Sequence, residues 1–268
     1  MARSSISFSS ILLSYFLVAG GLAVGLLLFA KLGVTSEPAF YGMLALGGVI
    51  GGFGAARGSR ENTIVEPAVG GLLVIASVVG VMLGTDVGSA VWHLAKDEIV
   101  RMIAFAALAA GAGALIGALI AEKLITGHAR GQLAWLLLVS IAIFGASMVA
   151  MIVLFGVMIR GSADQDTNIG VYFGATLLGA FLAGLAAGAS APRRILLMTM
   201  LGGVVGMLGF YSLLLSRESV KDRGNAMAGA VIIGIGCGVV ALVGAAIGWR
   251  IVGKRHAANL AARSRAFE

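Results

Sequence analysis

The sequence predicts an all-α integral membrane protein with about eight transmembrane helices, arranged as two tandem parallel four-helix repeats. Three observations lead to this fold class. Hydrophobic residues make up 59% of the 268-residue chain and charged residues only 12%, about half the charged fraction of an ordinary soluble domain. The apolar residues are grouped in stretches of roughly 20, the length that crosses a bilayer. Two blocks of the first half also recur, in the same order, in the second half.

Eight apolar stretches are long enough to be membrane helices, and short polar turns separate them. They cover approximately residues 10–31, 38–56, 67–84, 100–121, 132–159, 168–191, 195–216 and 225–250. The first stretch follows a single basic residue, Arg3, and is longer than the apolar region of a signal peptide. We therefore interpret it as an uncleaved helix, with a removed secretory leader as the alternative.

The basic residues are concentrated in the turns on one side of these predicted helices. If the N-terminus is cytoplasmic, most of the 19 lysines and arginines fall in cytoplasmic turns or in the C-terminal tail, while most acidic residues fall outside. The positive-inside rule then predicts that both termini are cytoplasmic. The short loops suggest a bacterial inner membrane. This distribution also explains the net charge of +7 without nucleic acid, because no basic and aromatic platform accompanies it.

The internal repeat is visible as two aligned blocks. Residues 40–56 align with 172–188, and residues 114–123 align with 241–250. The first block is identical in both copies at Gly42, Leu46, Gly47, Gly52 and Ala55. Four spans in each copy is an even number, so both copies insert with the same orientation, as parallel repeats do. We predict one repeat over 1–126 and a second, with a short basic tail, over 127–268.

Glycines recur four residues apart within the predicted helices. Residues at this spacing share one helix face, and small residues there let another helix approach closely. We expect helix packing to be their role, with a flexible substrate path as the alternative. The glycines concerned are Gly47, Gly51, Gly52, Gly184, Gly188, Gly202, Gly206, Gly244 and Gly248.

Two groups of charged residues are candidate sites at the membrane surfaces. On the outer side, residues 86–98 have helical apolar spacing around Trp92, which predicts a short helix in the interface. His93, Asp97 and Glu98 in this segment are candidates for an acid/base or cation cluster, although such groups are common on ordinary helix surfaces. On the inner side, Arg57, Arg60, Arg193 and Arg194 are candidates for contacts with lipid phosphate or a partner, and simple anchoring is the alternative.

The helix centres carry no charged residues, which disfavours proton transport through a carboxylate relay. Nucleophile-elbow, zinc-protease, P-loop and dinucleotide motifs are absent from the sequence, and there is one cysteine. We therefore expect no metal and no cofactor, and the lack of a catalytic motif disfavours an enzyme.

Two functions remain open. The first is a permease-like or channel-like subunit for a neutral or lipid substrate, with Tyr41, Tyr172, Thr176 and Thr199 lining the path. The alternative is a non-transporting scaffold or assembly subunit of a larger membrane complex, with lipids and other membrane subunits as partners. A hollow, polar junction between the two halves would favour the first function, and a filled, apolar junction the second.

Overall fold

The computed structural model describes residues 8–33, 36–58, 65–124, 132–158, 165–190, 196–215 and 223–265, and these residues form eight α-helices. Each predicted apolar stretch falls on one helix, so the all-helical fold is confirmed. The helices are α1 (Phe8–Leu32), α2 (Glu37–Gly58), α3 (Val65–Leu83), α4 (Asp86–Leu124), α5 (Gln132–Met158), α6 (Gln165–Ser190), α7 (Leu196–Leu215) and α8 (Arg223–Arg265).

Six helices in the described part of the chain are long and apolar enough to cross a membrane. Their apolar segments are Ser10–Leu32, Glu37–Gly58, Val65–Leu83, Ala95–Lys123, Leu133–Val153 and Met227–Val252. The other two helices, α6 and α7, contain shorter apolar segments, Phe173–Ala189 and Leu197–Gly209. This composition is compatible with a membrane protein.

Local sequence explains the sharp boundary between α1 and α2. Gly33, directly after α1, has a φ of 64°, a left-handed conformation that glycine adopts at helix ends without a steric penalty. Pro38 occupies the first turn of α2, where its missing N–H costs no helical hydrogen bond. The amide of Phe40 donates to the carbonyl of Ser36 over 3.1 Å and closes that turn.

The helices pack in two sets with the same order of neighbours. In the first set α2 packs on α1 and α4, and α3 completes the ring by packing on α4 and α1. In the second set α6 packs on α5 and α8, and α7 completes the ring by packing on α8 and α5. The largest contact between the two sets is that of α1 with α5.

Contacts between glycines and neighbouring helices give the relative directions of the helices. Gly21 meets Gly47 and Gly25 meets Met43, so α1 and α2 are antiparallel. Similar contacts make α5 antiparallel to α6 and α7 antiparallel to α8, whereas α2 runs parallel to α4 and α6 parallel to α8. α1 and α5 are parallel where Gly20 meets Ile141 and Gly145 meets Phe16, and the short connection from α3 to α4 makes those two antiparallel. The odd-numbered helices therefore run in one direction. We call the end at which they begin the first end of the bundle, and the opposite end the second end.

Two helices differ in extent from the sequence prediction. α4 begins at Asp86, and a non-helical residue, Ala95 (φ −138°, ψ 38°), separates its first turns from the long apolar segment. The helix predicted in residues 86–98 is thus present and continues through a kink into α4. α8 extends to Arg265, well past its apolar segment, because the alanine-rich tail has high helix propensity.

The buried core lies where the two sets meet and extends into each of them. One cluster, around α1 and α5, includes Leu17, Trp135, Ile143 and Met207. A second cluster fills the ring of the first four helices and includes Val18, Leu22, Leu44 and Val74. Large apolar side chains are exposed on the outer faces of α4 and α8, for example Leu108 at 66% and Ile232 at 69%, as expected for surfaces that face lipid.

Candidate functional site

The junction between the two sets is a direct contact of helix backbones. A β-carbon built on Gly20 would overlap the carbonyl oxygen of Ile141, and one built on Gly145 would overlap the carbonyl oxygen of Phe16 and the amide of Gly20. Small residues permit this approach in membrane helices, where close packing replaces the hydrophobic effect. The Gly20/Gly145 contact, which we call the α1–α5 crossing, therefore leaves no space between the two helices.

Apolar side chains fill the neighbourhood of the α1–α5 crossing. Leu17, Ala142 and Ile143 are 0% exposed, and Ala146 is 1% exposed. All four belong to one buried cluster. At the α1–α5 crossing, the described side chains are therefore closely packed and mostly apolar.

The parallel helix pairs of the two sets meet through the same kind of contact at aligned positions. In α2 and α4, Gly52 lies against the carbonyl of Ala114. In α6 and α8, Gly184 lies against the carbonyl of Ala241. Gly117 against Val49 and Gly244 against Phe181 form a second aligned pair of contacts. A glycine that faces a carbonyl in this way allows Cα–H···O contacts, which add a small attraction to the packing.

Each of the nine glycines singled out in the sequence lies against another helix. Gly47 and Gly51 face α1, and Gly202 and Gly206 face α5. The remaining five lie in the α2–α4 and α6–α8 contacts, namely Gly52, Gly184, Gly188, Gly244 and Gly248. A β-carbon built at any of these nine positions would meet atoms of a neighbouring helix.

Several hydroxyl groups inside the bundle are engaged in hydrogen bonds. The hydroxyl of Tyr15 on α1 donates to Ser77 Oγ on α3 over 3.0 Å, and Ser77 donates to the carbonyl of Leu73 over 2.8 Å. Ser147 Oγ on α5 donates to the carbonyl of Thr176 on α6 over 3.3 Å. The Tyr15–Ser77 and Ser147–Thr176 bonds join neighbouring helices, and similar interhelical bonds stabilise membrane proteins by about 0.6 kcal/mol each.

The residues expected to line a path lie on different helix interfaces. Tyr41, at the second end of α2, donates to Glu37 Oε1 over 3.3 Å, and its ring lies 5.6 Å from that of Phe105. Thr176 lies at the α5–α6 contact and is 8% exposed. Thr199 is 0% exposed and lies near the start of α7, at the first end of the bundle. The side chain of Tyr172 is outside the described residues, so no shared cavity is defined by this set.

The outer candidate cluster is only partly described. Asp97 and Glu98 are exposed, and the side chain of His93 lies outside the described residues. Glu98 Oε1 is 3.5 Å from Arg101 Nη2, with the two side chains more than half exposed. Such an exposed pair contributes about 0–1 kcal/mol. Within the described ranges, no group of three or more His, Cys, Asp or Glu side chains could hold a metal ion.

The inner candidate arginines are also partly described. Arg57 is partly buried near the end of α2, and Arg60, Arg193 and Arg194 lie outside the described residues. Beside them in sequence, Glu66 is a carboxylate only 2% exposed in the first turn of α3. Its burial was not expected from the sequence, although a carboxylate before Pro67 suits the positive end of the helix dipole.

Two buried polar atoms were also missed by the sequence analysis. Trp135 Nε1 and Thr199 Oγ1 have no hydrogen-bond partner among the residues that the structure describes. Leaving a buried donor or acceptor unsatisfied costs roughly 1–3 kcal/mol. Hydropathy gives no signal of such a pair, because both residue types are common in membrane helices with their polar atoms bonded.

Comparisons of the chain with known protein families, with curated proteins and with solved structures give no match. The features of the described helices that bear on function are therefore their mutual contacts. These are a closely packed junction, glycine-mediated helix pairs and hydroxyl groups that bond between helices.

Proposed function

We propose that this chain is a non-transporting structural subunit of a larger membrane complex, in which it acts as a solid helical block that positions partner helices. The observation that carries the proposal is the α1–α5 crossing, where Gly20 and Gly145 bring two backbones into contact. A path between the two halves would need separated walls with polar groups. The fully buried Leu17 and Ile143 occupy that place instead.

The proposal includes a tandem repeat of residues 1–126 and 127–268, with all eight helices crossing the membrane. The aligned contacts Gly52/Ala114 and Gly184/Ala241 support the duplication, as does the shared order of neighbours in the two sets. α6 packs antiparallel to α5, and α7 packs antiparallel to α8. Because α5 and α8 have longer apolar segments, this packing supports the proposal that α6 and α7 also cross the membrane. We place the first end in the cytoplasm of a bacterial inner membrane, on the basis of the Lys and Arg distribution.

The competing proposal is a permease-like or channel-like subunit for a neutral or lipid substrate. Buried polar side chains within α5–α8, among them Thr176 and Thr199, are the feature that favours it. Under this proposal the path would run inside one set of four helices, away from the α1–α5 crossing.

Reconstitution into liposomes separates the two proposals. Osmotic swelling with water, glycerol and urea, together with a fluorescent-lipid scrambling assay, measures the flux of neutral solutes and of lipid. We expect rates equal to those of protein-free liposomes. A flux that rises with the protein-to-lipid ratio, and that Thr199→Leu reduces while the matched lipid-facing substitution Leu201→Phe does not, would establish the permease-like function.

Site-specific photo-crosslinking in the native membrane tests the positive part of the proposal. A photoreactive residue replaces Leu108 on α4 or Ile232 on α8, two strongly exposed positions. We expect a discrete adduct with one protein species of defined mass at one position or both. The same probe at the fully buried Leu17 is the control and should give no adduct with another protein. Adducts with lipid alone at both exposed positions would contradict the proposal.

A further inference from the structure

The indole N–H of Trp135 on α5 and the hydroxyl of Thr199 on α7 are both buried polar groups without a hydrogen bond in the described part of the chain. Their residues are 1% and 0% exposed, and neither polar atom meets a hydrogen-bond partner in the part of the chain that the structure describes. An indole N–H can only donate, whereas a hydroxyl both donates and accepts. Buried polar groups in proteins are nearly always bonded to protein or to ordered water.

Helix geometry places the two residues at one level of the second set of helices. A β-carbon built on Gly202 of α7 would lie 3.1 Å from Cβ of Val139 on α5, which fixes the register of these parallel helices. Trp135 precedes Val139 by about 6 Å along the axis, and Thr199 precedes Gly202 by about 4.5 Å, at ~1.5 Å per residue. Residues three and four apart share a helix face. Trp135 therefore lies on the face of α5 that contacts α7, and Thr199 lies on the face of α7 that contacts α5.

The buried cluster that contains Trp135 is rich in alanine. Ala183, Ala187 and Ala241 belong to the same buried cluster as Trp135, and each is 0% exposed. Methyl groups can neither donate to Thr199 nor accept from the indole. In the first set, the position aligned with Thr199 is Pro67, which has no hydroxyl group. The arrangement therefore belongs to α5–α8 alone.

We propose that a single water molecule binds between α5 and α7 near the first end of the bundle. It accepts a hydrogen bond from Trp135 Nε1 and donates one to Thr199 Oγ1, and so links the two helices. Water suits the position because it is small, neutral and able to accept and donate at once. An ion would introduce an uncompensated charge into an apolar surrounding, and a larger ligand would force fully buried side chains apart. This inference does not depend on the proposed function.

The hydrogen-bonding state of one indole tests the site. The chain has three tryptophans, so Trp92→Phe with Trp249→Phe leaves Trp135 as the single reporter. Ultraviolet resonance Raman spectroscopy of this protein in nanodiscs distinguishes a bonded from a free indole N–H. We expect the bonded signal. Thr199→Ala enlarges the site and should retain the signal, because water remains. Thr199→Ile extends an additional carbon atom into the position of the water and should convert the indole to the free form.

Two outcomes would overturn the proposal. A free indole in the starting protein would show that no water is bound, and loss of the bonded signal in both Thr199→Ala and Thr199→Ile would indicate a direct bond to the hydroxyl. The matched control is Thr176→Ile, the same change at a buried threonine in another contact, which should leave the signal unchanged.

A second measurement does not depend on the folding of any Thr199 variant. In the starting protein, NMR magnetisation transfer from water to the indole proton of Trp135 should be observed. Its absence would exclude a bound water at this site.

Discussion

At the scale of single residues, glycines determine how closely the helices approach. Gly20 and Gly145 have neighbouring backbone where a β-carbon would be, whereas Gly42 on α2 has no neighbouring atom within 4 Å of that position. Glycine within a helix costs about 1 kcal/mol relative to alanine. The cost is offset at the α1–α5 crossing by packing that no other residue allows, and at Gly42 it has no such compensation.

Gly20→Ala is therefore expected to destabilise the protein, and Gly42→Ala to leave it unchanged or slightly more stable. The added methyl group at Gly20 must push α1 away from α5, and overpacking of this kind costs about 1–3 kcal/mol. At Gly42 only the helix propensity changes. Thermal unfolding in a mild detergent, followed by circular dichroism, measures both. Equal stability of the two variants would contradict the close contact at the crossing.

The hydrogen bond between Tyr15 and Ser77 makes a second prediction at the residue scale. Tyr15→Phe removes the donor, while Ser77 keeps its bond to the carbonyl of Leu73, so we expect a loss of stability of about 0.6 kcal/mol. Ser77→Ala leaves the tyrosine hydroxyl without this partner and should cost more, because an unsatisfied buried group carries a desolvation penalty. Detergent unfolding of both variants gives the order. The exposed Tyr41→Phe is the control and should have a smaller effect than either.

At the scale of helices, the parallel pairs α2–α4 and α6–α8 depend on the same contact. Gly52 and Gly184 each lie against an alanine carbonyl of the partner helix. At both glycines the nearest atoms of the partner helix belong to its backbone, so no flexible side chain can move aside for a larger residue. We infer that the two pairs respond alike to the same substitution.

Gly52→Ala and Gly184→Ala should lower the unfolding temperature by similar amounts. Each introduces a β-carbon where a carbonyl oxygen now lies, and overpacking should cost about 1–3 kcal/mol in both. Gly80→Ala on α3 is the matched control, because nothing lies within 4 Å of its added carbon. A large effect at one position and none at the other would argue against equivalent roles for the two pairs.

At the scale of the whole molecule, hydropathy predicted where the helices lie, because the length of an apolar stretch depends on local composition alone. It did not predict the kink at Ala95, which no proline or glycine marks, or the helical continuation of α8 to Arg265. The burial of Glu66, Trp135 and Thr199 depends on which helices become neighbours. Hydropathy contains no information about that lateral arrangement, and the aligned glycine blocks indicated only part of it.

The two sets of helices should also associate when they are separate chains. The α1–α5 crossing is their largest mutual contact, and it requires no covalent link between residues 126 and 127. Coexpression of 1–126 with a tagged 127–268 should give a one-to-one complex that survives purification in mild detergent, as measured by native mass spectrometry. Gly145→Leu in the second fragment should abolish copurification, because the side chain would overlap the backbone of Phe16 and Gly20.

Gly174→Leu in the same fragment is the control for this experiment. No atom lies within 4 Å of a β-carbon at Gly174, so the fragments should still associate. Failure of the unmodified fragments to copurify, while each is present in the membrane and folded, would show that the crossing does not hold the halves together. Association that persists with Gly145→Leu would place the main attraction at another contact, such as that of α1 with α6.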